Sequence, residues 1–376
     1  MRLSSFNLEN LFRRPAFMNT PPQKSMQVLT DYYELSHLIQ NDVYSEETKK
    51  VIIDIVSKYP GLKSGKNNDQ FIRLNEIRDR LLFVNEEEIS INQRINGRSD
   101  WIGWFELYAE QVKETAIENT ARVINAVGAD VLCAIEVENR LSINKFNENV
   151  IPQVGGEKFM YTMVIDGNDD RGIDVGILTK STCEILSIAT HVHDYDHGEK
   201  IFMRDCAEYK IKTPKGNSIL VLVNHFKSQS AKNDEETKEN NRLRKREATK
   251  VREIYEERLK QEIEFIAVVG DLNIDPSHDS LQPLLGNGSS LLDVMRHEKF
   301  KDEYQLSWTY KRRDTESKLD YILLSPKLQE KVVGAGIERH GVWGKGGEEP
   351  YERFPEMKDE LDAASDHAAL WVDLDV

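Results

Sequence analysis

Apolar residues along this chain gather in short blocks, and block after block closes in a polar side chain. Residues 2–8 alternate loosely and predict a short first strand ending at Asn7. Residues 106–127 carry apolar positions at helical spacing and stop at Gly128, which predicts an amphipathic helix with a glycine cap. ADVLCAIEVEN comes next as an apolar run closing in polar residues, the pattern of a buried strand. Further strands are predicted at 159–165, 173–179, 201–212, 218–224, 265–270, 319–324 and 368–374. The stretch 233–262 has Glu, Lys and Arg at i, i+4 spacings and predicts a long helix whose charges form a solvated face. Strands alternating with helices imply a layered α/β fold.

The region 13–110 breaks this rhythm. It has Pro-Pro at 21–22, helical patterns near 30–40 and 45–59, a turn in GLKSGKNND, and strand or mixed segments in FIRLNEIRDRLLFV and EEISINQRI. GRSDWIGWFEL adds two tryptophans, which read as packing a local subcore or as aromatic surface. No flexible linker separates this region from the helical segment after it, so it reads as an elaboration within a single domain spanning residues 1–376.

Composition narrows the class. Hydrophobic residues at 39% with charged residues at 31% describe a soluble globular chain, and no stretch approaches the ~18 apolar residues of a membrane span. MRLSSFNLENLF lacks the charged lead and long apolar run of a secretory signal. Cys133, Cys183 and Cys206 are too scattered for a disulfide framework, which favours a reducing compartment and a cytoplasmic location. The net charge of −15 argues against broad attraction to polyanions, although part of that acidity would belong to a cation site.

The candidate chemistry lies where the strands end. Asn7 follows LSSF, Glu136 follows DVLCAI, His225 follows ILVLVN, and Asp271 and Asn273 follow FIAVVG; Asp320 precedes YILLS, and Asp366-His367 precedes AALWVDL. Singly, each has an ordinary explanation, since Asn caps turns and carboxylates or imidazoles at strand ends are commonly solvated or structural. Their recurrence is not explained that way, and no Ser or Cys nucleophile motif or phosphate-gripping glycine loop competes. Hard carboxylate and carboxamide oxygens without thiolates select Mg²⁺, Mn²⁺ or Ca²⁺ rather than zinc. The two histidines offer proton transfer near neutral pH.

These strings make the chain resemble the endonuclease/exonuclease/phosphatase superfamily. The matching segments are FNLENLF, AIEVEN, FMRDCAEYKI with Arg204, LVNHFKSQ, VVGDLNIDP, SKLDYILLSP and SDHAALWVDL, in the family's order and across nearly the whole chain. The resemblance implies a four-layer sandwich of two mixed β-sheets packed face to face with helices outside. It implies a Mg²⁺ cofactor, with Mn²⁺ as a substitute, held by Asn7, Glu136 and Asp366 and flanked by Asp271 and Asn273. His367, oriented by Asp320, would activate the attacking water or stabilise the phosphorane. His225 would contact the phosphate, with protonation of the leaving oxygen as a further role, and Arg204 would neutralise a phosphate oxygen. Arg171 in NDDRGIDVGIL and Lys227 in NHFKSQ match strings of bacterial members and become candidate substrate contacts. The chain departs from compact members in the 128 residues between Asn7 and Glu136, the excess being the 13–110 region.

Three function classes are open to such a chain. The leading one is hydrolysis of DNA or RNA phosphodiesters, supported by the nuclease-like strings and by cations at Arg13, Arg14, Arg171, Arg204, Lys227, Arg312 and Arg313. The second is hydrolysis of a small or lipid-linked phosphate ester; no amphipathic membrane-binding helix favours the lipid version. The third, an inactive binding module, predicts damage at the metal or proton-transfer positions, and none is visible.

Overall fold

Alternate residues of the central strands enter two different apolar surroundings, which is why these segments read as continuous hydrophobic runs. In Val131–Val137 the side chains of Val131, Cys133 and Ile135 join one cluster, while Leu132 and Ala134 join another. In Ile266–Asp271 the side chains of Ala267 and Val269 join the first cluster, and Ile266 and Val268 join a third. A computed structural model describes residues 1–9, 22–84, 89–108, 113–169, 171–345 and 349–376. The chain divides into two compact units, one formed by Met1–Phe12 with Val112–Val376 and the other by Arg13–Gln111.

The first unit contains two six-stranded sheets. One has the spatial order Val332–Glu338, Ala369–Leu374, Arg2–Asn7, Val131–Val137, Asp174–Thr179, Tyr161–Ile165. The other runs Leu292–Asp293, Asp320–Leu324, Ile266–Asp271, Ser218–His225, Cys206–Lys212, Ile185–Ala189. Each has one parallel pair at its centre, Arg2–Asn7 with Val131–Val137 and Ser218–His225 with Ile266–Asp271, and only antiparallel pairings outside it. The cluster between the sheets joins Leu3, Val131 and Val372 to Tyr209, Val221 and Ile322. The helix Glu114–Val127 covers the outer face of the first sheet through Ala121 and Ile124, and Asp234–Lys260 covers that of the second through Ala248, Val251 and Tyr255. Helix, sheet, sheet and helix form the expected four layers.

The second unit has its own core, in which Leu35, Ile52 and Val56 from the helices Pro22–Leu38 and Glu46–Val56 pack with Ile72, Leu74 and Phe105 from an antiparallel strand pair. Of its two tryptophans, Trp101 is buried with Nε1 donating to Tyr44 Oη at 2.9 Å, whereas Trp104 is exposed.

Several expected boundaries move. The helix expected over 106–127 spans Glu114–Val127, because Ile102–Leu107 is a strand with alternating exposure; Glu106 and Leu107 fit the helical spacing but follow the period-2 pattern before them. Gly128 does cap the helix at φ +62°. The strand expected over 201–212 is confined to Cys206–Lys212, since Arg204 and Asp205 are tied into side-chain bonds ahead of it. The Asp234–Lys260 helix is not solvated all round: Asn240, Arg244 and Glu247 are buried on the same face as its apolar residues. Among the described residues, no helix is long and apolar enough to cross a membrane.

A polar network ties this helix to the second sheet. His191 bonds Asp194 at 2.9 Å and Glu208 at 2.8 Å, and Arg258 donates twice to Glu208. Burial disfavours the imidazolium, but Glu208 and Asp194 outweigh it and raise the His191 pKa above its ordinary 6.5. The stabilisation is therefore complete below the unfolded value and is lost as pH rises through the folded one. His191→Gln is expected to lower the urea midpoint more below about pH 6.5 than at alkaline pH; an equal loss at both would remove the charge from the explanation.

Candidate active site

A parallel pair ends both of its strands at the same edge of a sheet, and each neighbouring antiparallel strand begins there. That rule gathers the strand-end residues. Asn7 and Glu136 come from the central pair of the first sheet, and His225 and Asp271 from that of the second. Asp320 opens the strand antiparallel to Ile266–Asp271 and stands in register with Asp271. Asp366 and His367 precede Ala369–Leu374, which runs antiparallel to Arg2–Asn7. The two edges are joined directly by Asn7 Nδ2 donating to Asp271 Oδ2 at 3.2 Å.

Glu136 reaches the cluster through a β-bulge. Ile135 pairs with Val175 and Val137 with the adjacent Asp174, which leaves Glu136 as the extra residue, at φ +63°. A left-handed glutamate costs free energy and is kept where the bulge aims a useful side chain. His225 Nε2 lies 3.7 Å from its carboxylate and 3.8 Å from that of Asp271.

The GDLN turn is equally constrained. Asp271 Oδ1 accepts the Asn273 N–H at 2.8 Å, and Asn273, itself at φ +51°, donates from Nδ2 to the Phe226 carbonyl at 3.2 Å. Gly270 sits at φ +136°, where an added Cβ would lie 1.9 Å from the Asn224 carbonyl oxygen. The obstacle is backbone in the paired strand, so Gly270→Ala is expected to cost more than about 2 kcal/mol. An unchanged urea midpoint in that variant would contradict the geometry.

His367 is held on two sides. Its Nδ1 bonds Asp320 Oδ2 at 2.8 Å, and its ring packs against Tyr310 with centroids 5.0 Å apart. Asp320 is anchored through its own N–H, which donates to Thr309 Oγ1 at 2.9 Å. His367 Nε2 is left facing Asp366 at 3.6 Å and Asp271 at 3.8 Å. Burial opposes its protonation, but Asp320 and Asp271 hold the imidazolium and raise its pKa well above the ordinary value. His225 goes the other way, pushed well below by burial and then by Arg204 and His367. Two histidines driven to opposite charge states can divide proton acceptance and hydrogen-bond donation between them.

The cations collect on the His225 side. Arg171 makes two bonds to Asp169, at 2.9 and 2.7 Å, and stays partly exposed. Arg204 is buried, ion-paired to Asp169 at 2.9 Å and donating to the Phe226 carbonyl at 3.1 Å. Lys227 has its pKa lowered by burial and by Arg204 and Arg171. On the other side, the field of exposed Arg312 reaches Asp366. Arg13 and Arg14 lie outside the described residues.

Sequence reasoning overlooked Asp169, which holds both arginines, and Glu9, whose Oε2 accepts the Asp366 N–H at 2.9 Å. Glu9 lies two residues after Asn7, near enough to have been considered; Asp169 had no signal beyond its place close to Arg171.

The donor set suits a divalent cation. Burial raises Asp271 to about 7, His367 opposing and Asp320 adding to the shift, and burial with Glu9 raises Asp366 to about 8. Carboxylates crowded this closely lack compensating charge, which a hard cation on oxygen ligands supplies. Asp271, Asp320 and His367 also bring ligand atoms within 4.8 Å of one another. In that trio the Asp320 bond fixes the orientation of the imidazole.

Two mixed sheets converging oxygen ligands and a carboxylate-held histidine on one edge define a class of hydrolases that act on phosphoester bonds. Residues 102–332, more than half of the chain, match the profile of the Endonuclease/Exonuclease/phosphatase family, and the chain belongs to that family. No curated protein matches it significantly in sequence. Among solved structures it is similar to a Bacteroides thetaiotaomicron mannosyl-6-phosphatase, with 19% identity, 69% of this chain and 91% of that one covered, and a TM-score of 0.50. It is also similar to the human Nocturnin catalytic domain with bound sulfate, at 14% identity, 70% and 87% coverage and a TM-score of 0.48. Truncated Caenorhabditis elegans TDP2 gives 16%, 69% and 89%, and 0.47. At these identities the likeness is one of fold.

Proposed function

We propose that the chain is a Mg²⁺-dependent phosphodiesterase, with Mn²⁺ able to substitute, and that its substrate is DNA or RNA. The observation that carries this reading is the group of cations beside His225. Arg171 and Arg204 share Asp169, Arg204 donates to the carbonyl of Phe226, the residue after His225, and Lys227 follows it in the chain. Several cations beside a carboxylate centre suit a substrate with more phosphates than the scissile one.

Asn7, Glu136 and Asp366 would hold the cation, with Asp271 and Asn273 beside it. A divalent ion there supplies positive charge to the non-bridging phosphoryl oxygens and acidifies water. His367, with Asp320 on Nδ1, presents Nε2 to the attacking water and takes its proton. Asp271 and Asp366 otherwise favour the protonated ring, so neutralising their charge frees Nε2 to act as base. His225, buried and neutral, donates to a phosphate oxygen. Arg204 would neutralise a phosphate oxygen, held in place by Asp169 and the Phe226 carbonyl. The Arg13–Gln111 unit is read as an insertion within the catalytic domain, and three buried free cysteines fit a cytoplasmic location.

The test is Mg²⁺- and Mn²⁺-dependent cleavage of single- and double-stranded DNA and RNA, beside bis-p-nitrophenyl phosphate and p-nitrophenyl phosphate. Cleavage of a polynucleotide is the expected result. Hydrolysis of the small esters with polynucleotides left intact would establish a second reading, a small-molecule phosphoesterase, which the net charge of −15 favours. A protein inert on every ester with either metal overturns both.

A further inference from the structure

The Asp234–Lys260 helix buries two charges on its apolar stripe. Arg244 and Glu247 share a face with Ala248, Val251, Ile254 and Tyr255. Buried charge is costly unless hydrogen bonds compensate it, and here they reach two separate loops. Glu247 Oε1 accepts the Met203 N–H at 3.1 Å, and its Oε2 accepts the Lys227 N–H at 2.9 Å. Arg244 Nη1 donates to the carbonyls of Lys227 at 2.9 Å and Ser228 at 2.8 Å. One turn of helix thus grips the Lys227 residue by both its N–H and its carbonyl, and grips the N–H of the residue preceding Arg204 as well. Arg204 completes the arrangement with its own bond to the Phe226 carbonyl.

We propose that Arg244 and Glu247 are positioning residues that fix the loops carrying Arg204 and Lys227 against each other, and thereby set the affinity of the His225 side of the site for a substrate phosphate. The proposal rests on the reading of those cations as the phosphate-binding side. Neither residue touches substrate; the pair acts through backbone groups. Two acceptor oxygens are needed, because Met203 and Lys227 each present an N–H. A glutamine offers one acceptor oxygen and turns its NH₂ toward the other donor, so Glu247→Gln breaks one of the two bonds with little change in volume. Burial raises the Glu247 carboxyl to about 7, against the two N–H donors and the charges of Arg204 and Arg244. Holding it ionised therefore works against folding as pH rises through that value.

The experiment compares wild type, Glu247→Gln, Glu247→Asp and, as a control on the exposed face of the same helix, Glu253→Gln. Deuterium uptake is followed over residues 201–205 and 226–229, and steady-state kinetics are measured with bis-p-nitrophenyl phosphate and Mg²⁺. Glu247→Gln is expected to speed exchange in these segments and to raise KM about tenfold, the order of one lost charge-assisted hydrogen bond. Its kcat is expected to stay within about threefold, since substrate and transition state lose the same contact. Glu247→Asp keeps two oxygens and should recover part of KM, and Glu253→Gln should match wild type. Unchanged exchange overturns the proposal, and so does faster exchange with an unchanged KM, which would leave the pair a purely structural role. A wild type that hydrolyses no phosphoester is a different failure: it sinks the reading of the site and the proposal with it, and it is recognisable because the unmodified protein fails.

Discussion

His367→Ala is expected to lower kcat on a phosphodiester by about 10²- to 10⁴-fold, with KM changed only a few-fold. The ring is the general base of the proposed reaction. Asp271 and Asp366 are acceptors in the same space, but a base must keep its proton affinity beside a cation, and carboxylates engaged by a metal lose theirs. Asp320→Asn should act in the same direction, by roughly tenfold or more, because an amide can turn its NH₂ toward Nδ1 and reverse which ring nitrogen carries the proton. Both variants should remain folded, with His367→Ala losing some stability because buried Asp320 is left without its partner. Stopped-assay kinetics with bis-p-nitrophenyl phosphate measure this, and a His367→Ala enzyme within tenfold of wild-type kcat would remove the histidine from proton transfer.

The second large effect concerns Glu136. Wild type should gain thermal stability as Mg²⁺ is added, by about 2.7 kcal/mol at a hundred times the dissociation constant. Glu136→Gln should show little of that gain and lose hydrolysis with it, since a site on hard oxygens depends on how many of them are charged. Without metal the order reverses. One negative charge fewer lies near Asp271 and Asp366, whose carboxyls burial already lifts to about 7 and about 8, so the metal-free variant should melt at or above wild type. A thermal shift titration with Mg²⁺ in both proteins decides this without any substrate. An equal Mg²⁺ response in the two proteins would move the cation away from Glu136.

Much of this site was legible in the sequence because buried strands advertise their ends. One run such as ILVLVN closing in His225 has an ordinary explanation, but with FIAVVG closing in Asp271 and the other runs doing likewise, the recurrence marks the sheet edges. Pairing then did the rest, since parallel centres with antiparallel neighbours put those ends at one edge of each sheet, and the two edges meet at Asn7 and Asp271. Other features left no linear trace. The bulge at Glu136 is a matter of register with Val175 and Asp174, far along the chain. Asp169 has meaning only once Arg204 folds back onto it. Arg244 and Glu247 were hidden by their surroundings, because a helix so rich in charge looks solvated, and only the spacing of residues 240, 244, 247, 248, 251, 254 and 255 marks the inner face. The strand Val332–Glu338 went unpredicted because its two glycines weaken the strand signal.

The bond between the Glu9 side chain and the Asp366 N–H spans 357 positions, and residues 2–5 pair with residues 370–373. A chain emerging N-terminus first therefore presents Asn7 and Glu136 long before His367 and the strand after it. The same long closure makes folding slow, because distant segments must meet before the first sheet gains its central strands. Recovery of activity should accordingly be the last event in refolding, lagging behind the return of helical signal.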